Sequence, residues 1–147
     1  MKWIDLPPTW LLLFLAVTWQ VGQIEGLSAS FPGAFALGTF LLGLGLCVMA
    51  LAILTMVRAR TTVIPHLEAQ NLVTHGIFSV SRNPIYLGDA FILAGCALRW
   101  DAAAALILVP IFVWIIQTRF IRGEEQRLRD RFGEAFQAYT TRTRRWL

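Results

Sequence analysis

The sequence predicts an all-α, polytopic membrane protein, and three observations carry that prediction. Of 147 residues, 56% are hydrophobic and only 15% charged, against roughly a quarter charged in a soluble domain whose surface must face water. The mean hydropathy is +0.60, and the apolar residues are gathered into runs that approach or exceed the roughly 20 residues a helix needs to cross a bilayer. The basic residues, finally, are unevenly placed about those runs. This pattern excludes a soluble α/β enzyme, a disulfide-stapled secreted module and a disordered tail. The net charge of +4 then fits a membrane surface, with no call for nucleic acid, because the arginines border apolar runs.

Four spans are expected. The first is Pro8 to Ile24, apolar apart from Gln20 and Gln23. The second, Ala34 to Val57, carries no charge at all and is the clearest span in the chain. The third, Ile85 to Leu98, is short and contains Asp89; the fourth, Ala102 to Gln117, contains Pro110. The third and fourth meet at Arg99-Trp100-Asp101 and so form a tight helical hairpin. Four spans put Lys2, Arg58, Arg60, Arg82 and the eight arginines from Arg119 to Arg145 on one side and leave Arg99 alone on the other. A twelve-to-one split obeys the positive-inside rule with both termini in the cytoplasm. Glycines at 38, 43 and 45 would let helices pack closely, and the oligomeric state is left open.

Beyond the spans, Ile121, Leu128, Phe132, Phe136 and Tyr139 recur on one face of a helix, with Arg122, Arg127, Arg129 and Arg131 mostly elsewhere. This predicts a C-terminal amphipathic helix lying at the cytoplasmic interface or packed against the inner loop, with Gly133 the place for a bend. Cys47 and Cys96 lie inside apolar spans with no metal-ligand spacing, so inert thiols and no metal site are expected.

Polar chemistry concentrates in the inner loop, Thr61 to Gly88, and in Glu124-Glu125. Pro65, Gly76 and Pro84 punctuate the loop into turns. Pro84 suits the first turn of the third span, which sets Arg82 and Asn83 at a helix N-terminus, where free N–H groups favour an anionic ligand. His75 is a candidate base, although a loop histidine is more often a hydrogen-bonded structural group. Asp89 is an ionisable residue at hydrocarbon depth, where such residues default to function; a capping or snorkelling role is the competing account. Taken singly, Arg82 reads as a positive-inside anchor and Glu124-Glu125 as a solvated helix start. Arg119, Arg122 and Arg145 suit an acidic substrate group or lipid phosphate.

In combination these residues resemble a known family. Arg82-Asn83-Pro84-Ile85-Tyr86-Leu87-Gly88 is similar to the Arg-His-Pro-x-Tyr-x-Gly motif of the isoprenylcysteine carboxyl methyltransferase and phospholipid methyltransferase superfamily, with Asn83 in place of the frequent His. The family's Glu-Glu pair corresponds to Glu124-Glu125, with thirty-five residues between Gly88 and Glu124. Leu72-Val73-Thr74-His75-Gly76-Ile77-Phe78 resembles a further family segment, with Ile77 for the common Pro. Phe132-Gly133, Phe136, Tyr139 and Arg145 resemble the family's ending, with Phe136 for a Tyr.

The resemblance implies a single methyltransferase-like domain over 1–147. Two N-terminal spans (1–57) precede a cofactor-binding core (58–147) of inner loop, hairpin and C-terminal helix. It implies S-adenosyl-L-methionine as cofactor, bound by His75, Gly76, Arg82, Asn83, Pro84, Tyr86, Gly88, Glu124 and Glu125, with Arg82, Glu124 and Arg145 as the catalytic set. Methyl transfer from a sulfonium chiefly needs donor and acceptor held in line with water excluded. The expected partners are the bilayer and a lipophilic acceptor: an isoprenylcysteine-like carboxylate, thiol, amine or phospholipid. The short chain and the Arg-Asn-Pro variant look bacterial, which implies an inner-membrane protein with its cofactor site facing the cytoplasm. The competing readings are a small four-helix transporter or accessory protein, and a membrane reductase of the sterol-reductase type.

Overall fold

The computed structural model describes residues 6–61 and 70–147. Lys2 and Pro65, invoked above for topology and for a turn, lie outside the described residues. Among these, the secondary structure is helical, apart from one isolated bridge between Ala29 and Ala102. Helix α1 spans Pro7–Gln23, α2 Ala34–Arg58 and α3 Pro84–Arg99, followed by α4 (Leu108–Ile116) and α5 (Arg122–Arg142). Prolines open α1 and α3, where a missing N–H leaves no helical hydrogen bond unmade.

The last two helices are not separate pieces. A 3-10 turn over Ala103–Ile107 leads into α4, and a π turn over Gln117–Ile121 leads directly into α5. The result is one 40-residue helix, Ala103–Arg142, where the sequence predicted a span and a distinct tail helix. No proline follows Pro110 to interrupt it. At the wide turn the Thr118 hydroxyl donates to the carbonyls of Trp114 (2.9 Å) and Ile115 (3.1 Å), holding the backbone of the turn in place. Gly133 bends α5 as the sequence predicted, with φ 49 and ψ −119, a conformation that costs other residues steric strain.

Two helices are long and apolar enough to cross a membrane, Ala34–Arg58 and Ala103–Arg142. Helices α1 and α3, at 17 and 16 residues, fall short of the roughly 20 that a straight crossing needs. For α3 the reason is visible in its surroundings: twelve of its sixteen residues are buried. It is the centre of the bundle, packed by α1, α2, the 3-10 turn and α4, so it tolerates an aspartate that a lipid-facing helix would not. By contrast α2 exposes Phe35, Phe40, Leu46, Leu51, Leu54 and Val57, a surface suited to hydrocarbon.

Close approach of α2 to α3 depends on paired glycines. A Cβ on Gly38 would lie 2.7 Å from the Gly95 carbonyl oxygen, and one on Gly45 2.7 Å from that of Gly88. Small residues of this kind let helix backbones meet. Gly43 does not share in this: no atom of another segment lies within 4 Å of its Cβ position. On the other side of α3 a core of Phe14, Tyr86, Leu93, Phe112, Ile116, Phe120 and Ile121 joins α1, α3, α4 and the π turn. Phe14 meets Phe112 edge-on, with centroids 5.4 Å apart, a favoured aromatic geometry.

Candidate functional site

The polar residues that the sequence singles out converge where three segments meet: the loop before α3, the first turn of α5 and the chain beyond α5. Asn83 caps α3 and Pro84 opens it, which leaves Arg82 just outside the helix and places Tyr86 in its first turn. From the opposite side the π turn delivers Arg122–Glu125. Such turns shift the helical register and recur at functional sites. Here Glu124 and Glu125 open the first turn of α5, and both carboxylates turn toward the loop and α3.

The two acids have different partners. The Tyr86 hydroxyl donates to Glu124 Oε1 at 2.8 Å. Glu125, only 9% exposed, accepts a fork from Arg145: Nε to Oε1 at 3.0 Å and Nη2 to Oε2 at 2.6 Å. Arg82 Nη2 stands 3.4 Å from the same Oε1. Bidentate guanidinium–carboxylate pairing fixes orientation as well as charge, and the hydrogen bond to Glu125 pushes Arg145 above the ordinary arginine range. The cluster of Arg82, Arg145 and Glu125 carries one net positive charge. The Arg82 Nε is buried with no hydrogen-bond partner, and a buried donor left so costs about 1–3 kcal/mol. The site therefore offers an unmet donor to an anionic group.

The chain after α5 is strapped to the Arg82 loop through its backbone. The Arg82 N–H donates to the Arg144 carbonyl at 3.0 Å. The Arg145 carbonyl accepts from Asn83 Nδ2 (3.0 Å) and from Ser81 Oγ (3.2 Å). Trp146 Nε1 donates to Gln117 Oε1 at 3.0 Å, which ties the strap to the π turn. Higher up, the Tyr139 hydroxyl donates to the Phe78 carbonyl at 2.6 Å, and burial pushes that hydroxyl up to about 12. These tether residues carry no sequence signal: Ser81 binds main chain, and Gln117 and Trp146 bind each other across 29 residues of sequence.

The remaining expectations divide. Asn83 holds the strap, and Pro84 is buried as a helix start. Gly88 backs onto Gly45 of α2, so its small size serves helix packing where the sequence assigned it to a ligand. His75 is exposed and precedes a 3-10 turn, Gly76–Ser79, without a side-chain capping bond. Gly76, at φ 62, lies over Thr55 near the end of α2. Among the described residues no hydrogen bond or ion pair joins His75 or Gly76 to the Arg82–Glu125 cluster. Arg119 stacks over the Trp10 ring at 5.2 Å, and Arg122 is exposed. No group of metal-ligating side chains occurs among the described residues.

Fold and site thus define a helical membrane protein with a charged cluster at one end of its apolar bundle. The family model of phospholipid methyltransferases matches residues 34–135, so the chain belongs to that family of membrane methyltransferases. The match runs from the start of α2 to just beyond the Gly133 bend. It covers Arg82, Tyr86, Glu124 and Glu125, and leaves α1, Tyr139 and Arg145 outside. No curated protein and no solved structure gives a match.

Proposed function

We propose that this protein is an integral membrane, S-adenosyl-L-methionine-dependent methyltransferase acting on a lipophilic acceptor, and the observation that carries the reading is the convergence of Arg82, Tyr86, Glu124 and Glu125 inside the family-matched region. Four crossings with both termini in the cytoplasm suit it best. The arginine asymmetry favours that topology, and α3, too short to face lipid alone, crosses inside the bundle. A bacterial inner membrane with the site on its cytoplasmic face is the matching location. Family membership weighs against the transporter and reductase readings.

The residues fit the cofactor. S-adenosyl-L-methionine supplies a methyl group already activated on a sulfonium, so the protein's share is binding, alignment and exclusion of water. Arg82, with its unmet buried Nε, suits the cofactor's carboxylate. Glu124 suits a ribose diol or an ammonium, with Tyr86 fixing its orientation. Glu125 acts through Arg82 and Arg145, holding both guanidinium groups in place. His75 and Gly76, at the 3-10 turn beside the end of α2, are further candidate contacts, and Asn83, Pro84 and Gly88 contribute by positioning.

Calorimetric titration of the detergent-purified protein with S-adenosyl-L-methionine tests this reading, with Arg82→Ala and Glu124→Ala alongside. Micromolar binding that weakens at least about tenfold in either variant is expected, the equivalent of about 1.4 kcal/mol. A folded wild type that does not bind overturns it.

A further inference from the structure

Asp89 is the one carboxylate among the described residues of α1–α4, and its setting calls for an explanation. It is 5% exposed. Among the described residues it makes no hydrogen bond and no ion pair. An ionisable side chain at that depth is expensive, and an unpartnered one more so.

A capping role fails on position. Asp89 is the sixth residue of α3, counting from Pro84, beyond the first turn where capping and the helix dipole reward an acid. It stands one turn beyond Tyr86, at the i+3 position that shares a helix side. Tyr86 in turn holds Glu124. A row of Glu124, Tyr86 and Asp89 therefore leads from the charged cluster toward the apolar depth of the bundle, where a lipophilic acceptor would enter.

We infer that Asp89 faces the methyl acceptor and takes the proton its nucleophile releases, so that the acceptor is an amine, thiol or hydroxyl and not a carboxylate. This rests on the methyltransferase reading above. As the new bond forms from the acceptor's nitrogen, sulfur or oxygen to the methyl carbon, the carbon–sulfur bond of the sulfonium breaks and its electron pair stays on sulfur as a neutral thioether. The acceptor's proton passes to the Asp89 carboxylate, since water is excluded at that depth. A carboxylate acceptor has no proton to give and would be repelled by Asp89.

The test combines S-adenosyl-L-methionine calorimetry with transfer of a tritiated methyl group to dodecylamine, dodecanethiol, dodecanol and N-acetyl-S-farnesylcysteine in detergent. Wild type is expected to methylate at least one of the first three and not the carboxylate. Asp89→Asn is expected to slow that transfer about 100-fold, as loss of a positioned base does, while melting temperature and cofactor affinity stay near wild type. Asp89→Glu should recover part of the rate. Methylation of the carboxylate probe overturns the inference. So does undiminished transfer by Asp89→Asn, or a wild type that binds the cofactor yet methylates none of the proton-bearing probes. A wild type that fails to bind the cofactor removes the methyltransferase reading itself, and this inference with it.

Discussion

Tyr86 donates its hydroxyl proton to Glu124 Oε1 at 2.8 Å, joining α3 to the first turn of α5 across 38 residues of sequence. The bond matters because Tyr86 is also part of the apolar core with Phe14, Leu93 and Phe112. One side chain thus couples core packing to the orientation of a site carboxylate. Tyr86→Phe keeps the ring and removes the donor. It should cost about 1 kcal/mol, a fall in melting temperature of roughly 2–4 °C for a chain of this size. Cofactor affinity should drop alongside; an unchanged affinity would remove Tyr86 from the site.

Arg145 lies beyond the family-matched residues, yet it makes the most direct contact with Glu125. The fork geometry is specific to arginine, so Arg145→Lys should behave more like Arg145→Ala than like wild type. Breaking a buried pair costs 3–5 kcal/mol, but the Arg145 side chain is 32% exposed and Arg82 remains as a second partner. About 2 kcal/mol is therefore expected after allowing for solvent screening. Arg145→Ala and Glu125→Gln combined should cost less than the sum of the two, by about 1 kcal/mol. Strict additivity in thermal melts would show that the pair is not coupled.

The glycines of α2 divide by contact. A Cβ at Gly45 would fall 2.7 Å from the Gly88 carbonyl oxygen, and one at Gly88 2.8 Å from the Gly45 carbonyl oxygen. Gly45→Ala and Gly88→Ala should each destabilise by about 1–3 kcal/mol, the usual cost of overpacking. Gly43→Ala, with open space around it, should stay within about 0.5 kcal/mol of wild type. Melts of the three variants separate a packing role for Gly88 from a purely ligand-facing one, since only the former lowers stability in the absence of any ligand.

Much of this arrangement is legible in the sequence because it is written in residue types. An uncharged run fixes α2 to within a residue, and Pro84 marks the start of α3. Arg82, Tyr86 and the Glu124-Glu125 pair stand out as polar groups beside apolar spans. What the sequence conceals is carried by main chain or by register. The carbonyls of Arg144 and Arg145 that receive Arg82, Ser81 and Asn83 have no side-chain signature. The π turn that fuses α4 to α5 leaves none either. The apolar periodicity of 121, 128, 132, 136 and 139 leaves open whether this face meets lipid or the inner loop; in the structure it meets protein, with Ile121, Phe136 and Tyr139 buried.

Alkaline pH offers a test of the far end of that face. The Tyr139 hydroxyl is raised from 10.0 to about 12, first by burial and against the lowering effect of Arg82. A group whose folded value is raised contributes stability in full below its unfolded value and loses it as pH climbs through the folded one. Tyr139 should therefore stabilise the fold below pH 10 and cease to do so by about pH 12. Tyr139→Phe loses the bond to the Phe78 carbonyl, and with it about 1 kcal/mol at neutral pH, but should melt with a shallower dependence on pH across that window. Because the Gly133 bend sets where Tyr139 reaches, Gly133→Ala, strained at φ 49, should cost about 1–3 kcal/mol. If the bend straightens to relieve the strain, the Tyr139 hydroxyl is freed, and absorbance titration should then find it ionising near 10, its ordinary value. A Gly133→Ala protein in which Tyr139 still titrates near 12 would show that the bend does not set the contact.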